Sequence, residues 1–140
     1  MASTILRLKG GTIICASDTS HIVNCEFGIR SVISAHVWME DVIIGDFVYV
    51  GSHSLIAPGT ILENGAEIGT RVTFLDDDDG KRTIVGYGAT IGDGAIIAPG
   101  ISIGMYAKVG AGAYVTKDVK ARTQVCGNPA TAKAGIVVVR

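Results

Sequence analysis

From Ile44 onward, branched or aromatic apolar residues recur at every sixth position, at Val50, Ile56, Leu62, Ile68 and Phe74. The series resumes at Val85 and runs through Ile91, Ile97, Ile103, Val109 and Val115. A period of six matches neither the 3.6-residue repeat of a helix nor plain strand alternation, so it predicts short strands joined by tight corners. The residue after an anchor is usually small or acidic, as at Gly45, Gly51, Ala57, Glu63 and Gly69, and later at Gly86, Gly92, Ala98, Gly104 and Gly110. Four positions after an anchor stand Ala66, Ala89, Ala95, Ala107 and Ala113, small enough for a narrow interior. Three positions after it, glycine recurs at 59, 65, 88, 94, 100 and 112, as expected of corners that need a positive φ. Three hexads then make one turn of a triangular coil, and successive coils pair as parallel strands about 4.8 Å apart. Each anchor is expected to stack on one 18 residues away.

Composition supports that reading. The 140 residues fit one domain with a continuous core. Its expected divisions are an irregular lead-in over 1–26, regular coils over 27–126, and an exit turn with a short tail over 127–140, where Ile136 to Val139 reads as one short strand. No apolar run approaches the roughly 18 residues of a membrane span. Twelve basic residues against thirteen acidic ones leave none of the cationic surplus that nucleic-acid binding demands, so neither nucleic acid nor a membrane is expected as partner. The first residues lack a secretory pattern, which points to a cytoplasmic protein. Cys15, Cys25 and Cys126 are odd in number and far apart, which argues against a disulfide framework or a thiolate metal site.

Departures from the repeat are where function is expected. Eleven positions separate Phe74 from Val85 instead of six, and the extra segment, about 75–84, holds an acidic run followed by Gly80, Lys81 and Arg82. Such a segment cannot enter the coil interior, so it must project from a corner. It is either a solvated bulge or the border of a substrate cleft. A second departure lies at Met39 to Ile43, five residues where six are expected, which puts Ile33 and Val50 on the same side of adjacent coils. His36 and His53 then occupy one corner position on consecutive coils, with Arg71 as the next rung and Gly94 after it. Either each histidine fills a left-handed corner that few bulky residues tolerate, or a neutral imidazole there acts as general base. His53 is the first candidate because it is nearer the projecting segment, and His36 is the alternate. His21 is assigned no role.

The run Ile91-Gly92-Asp93-Gly94-Ala95-Ile96-Ile97-Ala98-Pro99-Gly100, the run from Val109 to Val119, and Gly127-Asn128-Pro129-Ala130 resemble the closing coils of the hexapeptide-repeat acyltransferases. The resemblance covers roughly residues 27 to 130 and is nearest to bacterial sugar-nucleotide N-acetyltransferases. It implies an all-β, left-handed parallel β-helix; the hand comes from the resemblance alone, since the general rule for parallel crossovers favours the right hand. Val72 to Asp77 looks like the hydrophobic-Phe-Thr-Asn-Asp segment of those enzymes, with Asp76 where they have Asn and without their following Tyr-Pro-Arg.

The resemblance further implies a CoA-dependent acyltransferase, acetyl-CoA being the co-substrate, that acts on an amine or hydroxyl of a small sugar or nucleotide-sugar acceptor. A thioester is already activated, so one base and one oxyanion donor suffice: His53 or His36 would take the proton and a backbone N–H near the corner glycines would steady the oxyanion. Asp76, Asp77 and Arg71 are the expected acceptor contacts, Asp76 alternatively holding the imidazole. Gly92, Gly110 and Gly112 would leave backbone open to the pantetheine arm, Lys117 and Lys133 would meet CoA phosphates, and Asn128 stands in the family's exit turn. A homotrimer with sites between subunits is implied, and no metal is expected. Two rivals remain: a solenoid that serves as an interaction platform or enzyme remnant, and a γ-class carbonic anhydrase, which would need three zinc-binding imidazoles where this chain has three histidines in all and lacks that family's close pair.

Overall fold

The computed structural model describes residues 6–8, 13–14, 20–76 and 79–137. Hexads that alternate a buried anchor with an outward neighbour and then a corner can only zigzag briefly before turning, and strands of mostly two residues follow one another around three walls. Wall A stacks Leu6–Leu8, Cys25–Phe27, Ile43–Ile44, Ile61–Leu62, Ile84–Val85 and Ser102–Ile103. Wall B stacks Ile13–Ile14, Val32–Ile33, Tyr49–Val50, Glu67–Ile68, Thr90–Ile91, Lys108–Val109 and Thr123–Cys126. Wall C stacks His21–Val23, Trp38–Glu40, Leu55–Ile56, Thr73–Phe74, Ile96–Ile97 and Tyr114–Val115. The pairing is parallel throughout these walls, and Thr131–Val137 then folds back antiparallel on Thr123–Cys126. The molecule is a left-handed parallel β-helix of about six turns, and no helix occurs among the described residues.

Register follows the anchors. Ile44 pairs with Leu62 and Val85 with Ile103, 18 residues apart. The short slot before Ile44 reduces the interval to 17 at Ile33 and Val50, and the insertion after Phe74 raises it to 23 at Phe74 and Ile97. Parallel strands also form ahead of residue 27, where His21–Val23 pairs with Trp38–Glu40 and Cys25–Phe27 with Ile43–Ile44.

The interior consists of stacked columns. Ile22, Met39, Ile56, Phe74, Ile97 and Val115 line wall C from within, all almost fully buried, and Ile33, Val50, Ile68, Ile91 and Val109 do so behind wall B. Each such side chain contributes about 1.5–3 kcal/mol by leaving water. The alanines at 66, 89, 95, 107 and 113 are wholly buried where the chain re-enters the coil after a corner. On earlier coils, serines occupy that position and meet the backbone. Ser31 Oγ donates to Gly45 O (2.7 Å), while Ser54 Oγ donates to Gly69 O (2.8 Å) and accepts the Val72 N–H (3.2 Å). A hydroxyl is thereby buried without an unpaired polar group.

Candidate active site

The corners stack as the walls do, giving three edges. The corner glycines 59, 65, 88, 94, 100 and 112 all have positive φ, and non-glycine residues take the same conformation on other coils. The edge between walls B and C carries His36 (φ 60°), His53 (φ 62°), Arg71 (φ 55°), Gly94 (φ 72°) and Gly112 (φ 70°) in one column. Backbone bonds fix the rungs: His53 N–H donates to Ala35 O (3.2 Å), Arg71 to Ser52 (3.0 Å), Gly94 to Thr70 (2.9 Å) and Gly112 to Asp93 (2.9 Å). The His36 and His53 rings are 4.7 Å apart between centroids and tilted by 31°. Both histidines and Arg71 are exposed.

Ser52, His53, Thr70, Arg71, Asp93 and Gly94 line a groove of about 440 Å³ along this edge. Asp93 Oδ1 accepts the Thr70 N–H (2.9 Å) and ties that rung to the next. A side chain at Gly94 or Gly112 would meet nothing within 4 Å, so the column opens to solvent above Arg71. The N–H groups of Gly94 and Gly112 are already committed to the coil below, so an oxyanion donor must come from another group on this edge. Ser52, Thr70 and Asp93 were not singled out from the sequence; each stands one residue before a rung, and the repeat itself carries that signal.

The insertion leaves from a different edge, between walls C and A. Asn24, Asp41 and Gly59 are its rungs on the earlier coils, with Asn24 Nδ2 donating to Asp41 Oδ1. Asp76, Gly80, Lys81 and Arg82 of the insertion border an open cleft of about 650 Å³ with Asn24, Glu26, Asp41, Ile43, Pro58 and Gly59. Asp76 is exposed and lines this cleft, and Asp77 lies outside the described residues. Within one chain, then, His36, His53 and Arg71 come together, and Asp76 stands at the far end of wall C from them.

The outward column of that wall is His21, Trp38, Leu55, Thr73, Ile96 and Tyr114. Leu55 is 43% exposed and Ile96 39%, and the His21 ring stacks on Trp38 at 5.0 Å and 11° with its Nε2 3.4 Å from Glu40 Oε1.

The glycines singled out for the pantetheine arm divide in two. A Cβ on Gly92 would stand 2.5 Å from Ala111 N, and one on Gly110 would stand 3.1 Å from the Cys126 Cβ, so coil stacking alone demands the first and crowds the second. Gly112 faces open space. Lys117 lies toward the insertion edge in a hollow with Asp79, Lys81, Pro99 and Gly100. Asn128 forms the exit turn through a cis bond to Pro129, and Lys133 is exposed on the final strand.

The family model for the hexapeptide repeat of succinyl-transferase matches residues 41–72 and 82–117, the two stretches flanking the insertion. The hexapeptide repeat is thus recognised on both sides of the insertion. Its fold is similar to that of a GDP-perosamine N-acetyl transferase from Caulobacter crescentus, solved with CoA and GDP-perosamine (23% identity, TM-score 0.80, 89% of this chain and 58% of the other). It is also similar to a putative acetyltransferase from Bacillus cereus (25%, TM-score 0.80, 96% and 78%). A third similar structure is AntD, an N-acyltransferase from Bacillus cereus solved with dTDP and 3-hydroxybutyryl-CoA (19%, TM-score 0.82, 96% and 84%). The chain spans just over half the length of the perosamine enzyme. A comparison with curated proteins finds no match.

Proposed function

We propose that this chain is the β-helix of a CoA-dependent acyltransferase, acetyl being the group transferred, that acylates an amine or hydroxyl of a small sugar or nucleotide-linked sugar. The observation that carries the reading is the exposed His36–His53–Arg71 column beside a groove, on a repeat whose relatives in fold are solved with CoA or an acyl-CoA. His53 sits in that groove and takes the proton of the attacking amine or hydroxyl, His36 being the alternate base. Arg71, one rung above, faces the acceptor as a fixed cation. The open corner at Gly112 leaves room for the pantetheine arm, with Asn128 and Lys133 toward the adenine end and Lys117, on the insertion edge, meeting the phosphates from a neighbouring copy. Acetyl-CoA, when bound, supplies the activated acyl group.

One chain places Asp76 and His53 on different edges, so a site that uses both requires a second copy. A closed three-fold ring would set the insertion edge of one protomer against the histidine edge of the next, and the outer column of wall C, with exposed Leu55 and Ile96, lies between the two edges and is the surface such packing would cover. Asp76 and Asp77 then contact the acceptor across the boundary. The working location proposed is the cytoplasm.

The test is thiol release from acetyl-CoA in the presence of amino-sugar nucleotides and plain amino sugars, together with light scattering for the assembly. Turnover by a trimer supports the reading; absence of both CoA binding and turnover would make the chain an interaction platform instead.

A further inference from the structure

The insertion sends its two cations in opposite directions along its edge. Arg82 lies over Gly59 on the coil before, with Nη1 3.4 Å from the Gly59 carbonyl. Lys81 lies over Gly100 on the coil after, where a Cβ would stand 3.1 Å from its Cδ and 3.2 Å from its Cβ and Cγ. The bare corner at Gly100 is therefore what lets the Lys81 stem rest along the edge, and a stem held by packing loses less freedom when its ammonium engages a ligand. Lys81 shares with Lys117 a hollow of about 510 Å³ that also includes Pro99, Gly100 and Thr116. Two carboxylates, Asp79 and Asp118, face the same hollow, and Asp118 Oδ1 already accepts the Ser102 N–H (2.9 Å).

We infer that Lys81 and Lys117 form a two-cation seat for a phosphate or diphosphate group at the foot of the insertion. Two lysines lining one hollow bring two compact ammonium charges within reach of a dianion, which can accept from both at once. The carboxylates keep the seat near neutral when empty, so a weakly charged anion gains little there. The seat rests on geometry alone, while the identity of its anion rests on the acyltransferase reading: both CoA and a nucleotide-linked acceptor carry diphosphate.

Calorimetric titration of the full chain with CoA, dephospho-CoA, pantetheine and UDP tests the seat. The variants are Lys81→Met, which keeps the stem on Gly100, Lys117→Met, the double variant, and Lys108→Met on wall B as a control. Each single change should weaken the seated ligand about tenfold, the double should bring CoA toward pantetheine, and pantetheine itself should be unaffected. Losses confined to CoA identify the cofactor as source, losses confined to UDP identify the acceptor, and the dephospho-CoA arm tells the 3′-phosphate from the diphosphate. A double variant that melts at the wild-type temperature and binds CoA and UDP as wild type does overturns the seat while leaving the acyltransferase reading intact. Wild-type protein that binds UDP and not CoA keeps the seat and removes the acyl-CoA reading. Wild-type protein that binds neither overturns the seat.

Discussion

The imidazoles of His36 and His53 stack 4.7 Å apart on consecutive coils, and only His53 also borders the groove that holds Ser52, Thr70, Arg71 and Asp93. That asymmetry separates two residues that the repeat makes equivalent. If His53 is the base, His53→Ala should lower kcat by about 10²–10⁴-fold with KM for acetyl-CoA little changed. His36→Ala removes a ring neighbour and should cost less. Thiol-release kinetics decide it: His53→Ala turning over at the wild-type rate excludes His53, and a larger loss at His36 reverses the assignment.

Two glycines of the closing coils should respond oppositely to the same substitution. A Cβ on Gly92 runs into the backbone of Gly110 and Ala111, which cannot move without unstacking a coil, and Gly92→Ala should cost about 1–3 kcal/mol. Gly112→Ala meets no atom and should cost about 1–2 kcal/mol through its φ of 70° alone. Replacement by Asn distinguishes the causes: it should recover part of the loss at 112, because Asn tolerates that conformation, and deepen it at 92. Urea denaturation of the four variants is the check.

The contrast also marks how far the sequence could be read. Anchors such as Ile56 and Ile97, the alanine positions and the corner glycines were legible because each repeats, and a repeat reports the interior of its own coil. Gly92 was read as exposed backbone because its constraint comes from Ala111, a full coil away, which no single hexad displays. Rungs occupied by Phe47, Tyr106 and Arg122 carry positive φ without any glycine to announce it. The stacking of His36 on His53 followed from counting through the short slot before Ile44. His53 is preferred over His36 because it is nearer the insertion in sequence, yet the strand Thr73–Phe74 spans a wall between the Arg71 rung and Asp76. Distance along a solenoid is measured in edges, and the insertion leaves from the next one.

That separation yields a prediction about assembly. Asp76 is exposed and lines the cleft under the insertion, so Asp76→Ala should change stability by less than about 0.5 kcal/mol; if it contacts the acceptor, the same change should raise KM for that acceptor. If the acceptor is held between protomers, chains carrying Asp76→Ala and chains carrying His53→Ala, unfolded together and refolded as mixed oligomers, should regain activity that neither has alone. No recovery in mixtures shown to contain both chains would place the two residues in separate functions.

Cys25 supplies a pH signature independent of catalysis. Its thiol is fully buried and donates to Val23 O (3.3 Å), and desolvation raises its pKa from 9.0 to about 11, with the backbone bonds to Val42 and Val23 opposing and Asp41 and Glu40 adding to the rise. An acid whose folded pKa lies above its unfolded one is neutral in both states at low pH, so this contribution to stability is fully present below pH 9.0. As pH rises toward about 11 the unfolded chain ionises first, and the contribution, about 3 kcal/mol at most, is lost. Denaturation midpoints between pH 8 and 11 should therefore fall faster for the wild type than for Cys25→Ala, which lacks the ionising group. Exposed Cys126, by contrast, should react with an alkylating reagent in the native state while Cys25 reacts only on unfolding. Parallel pH profiles for the two proteins would show that the thiol ionises as readily folded as unfolded.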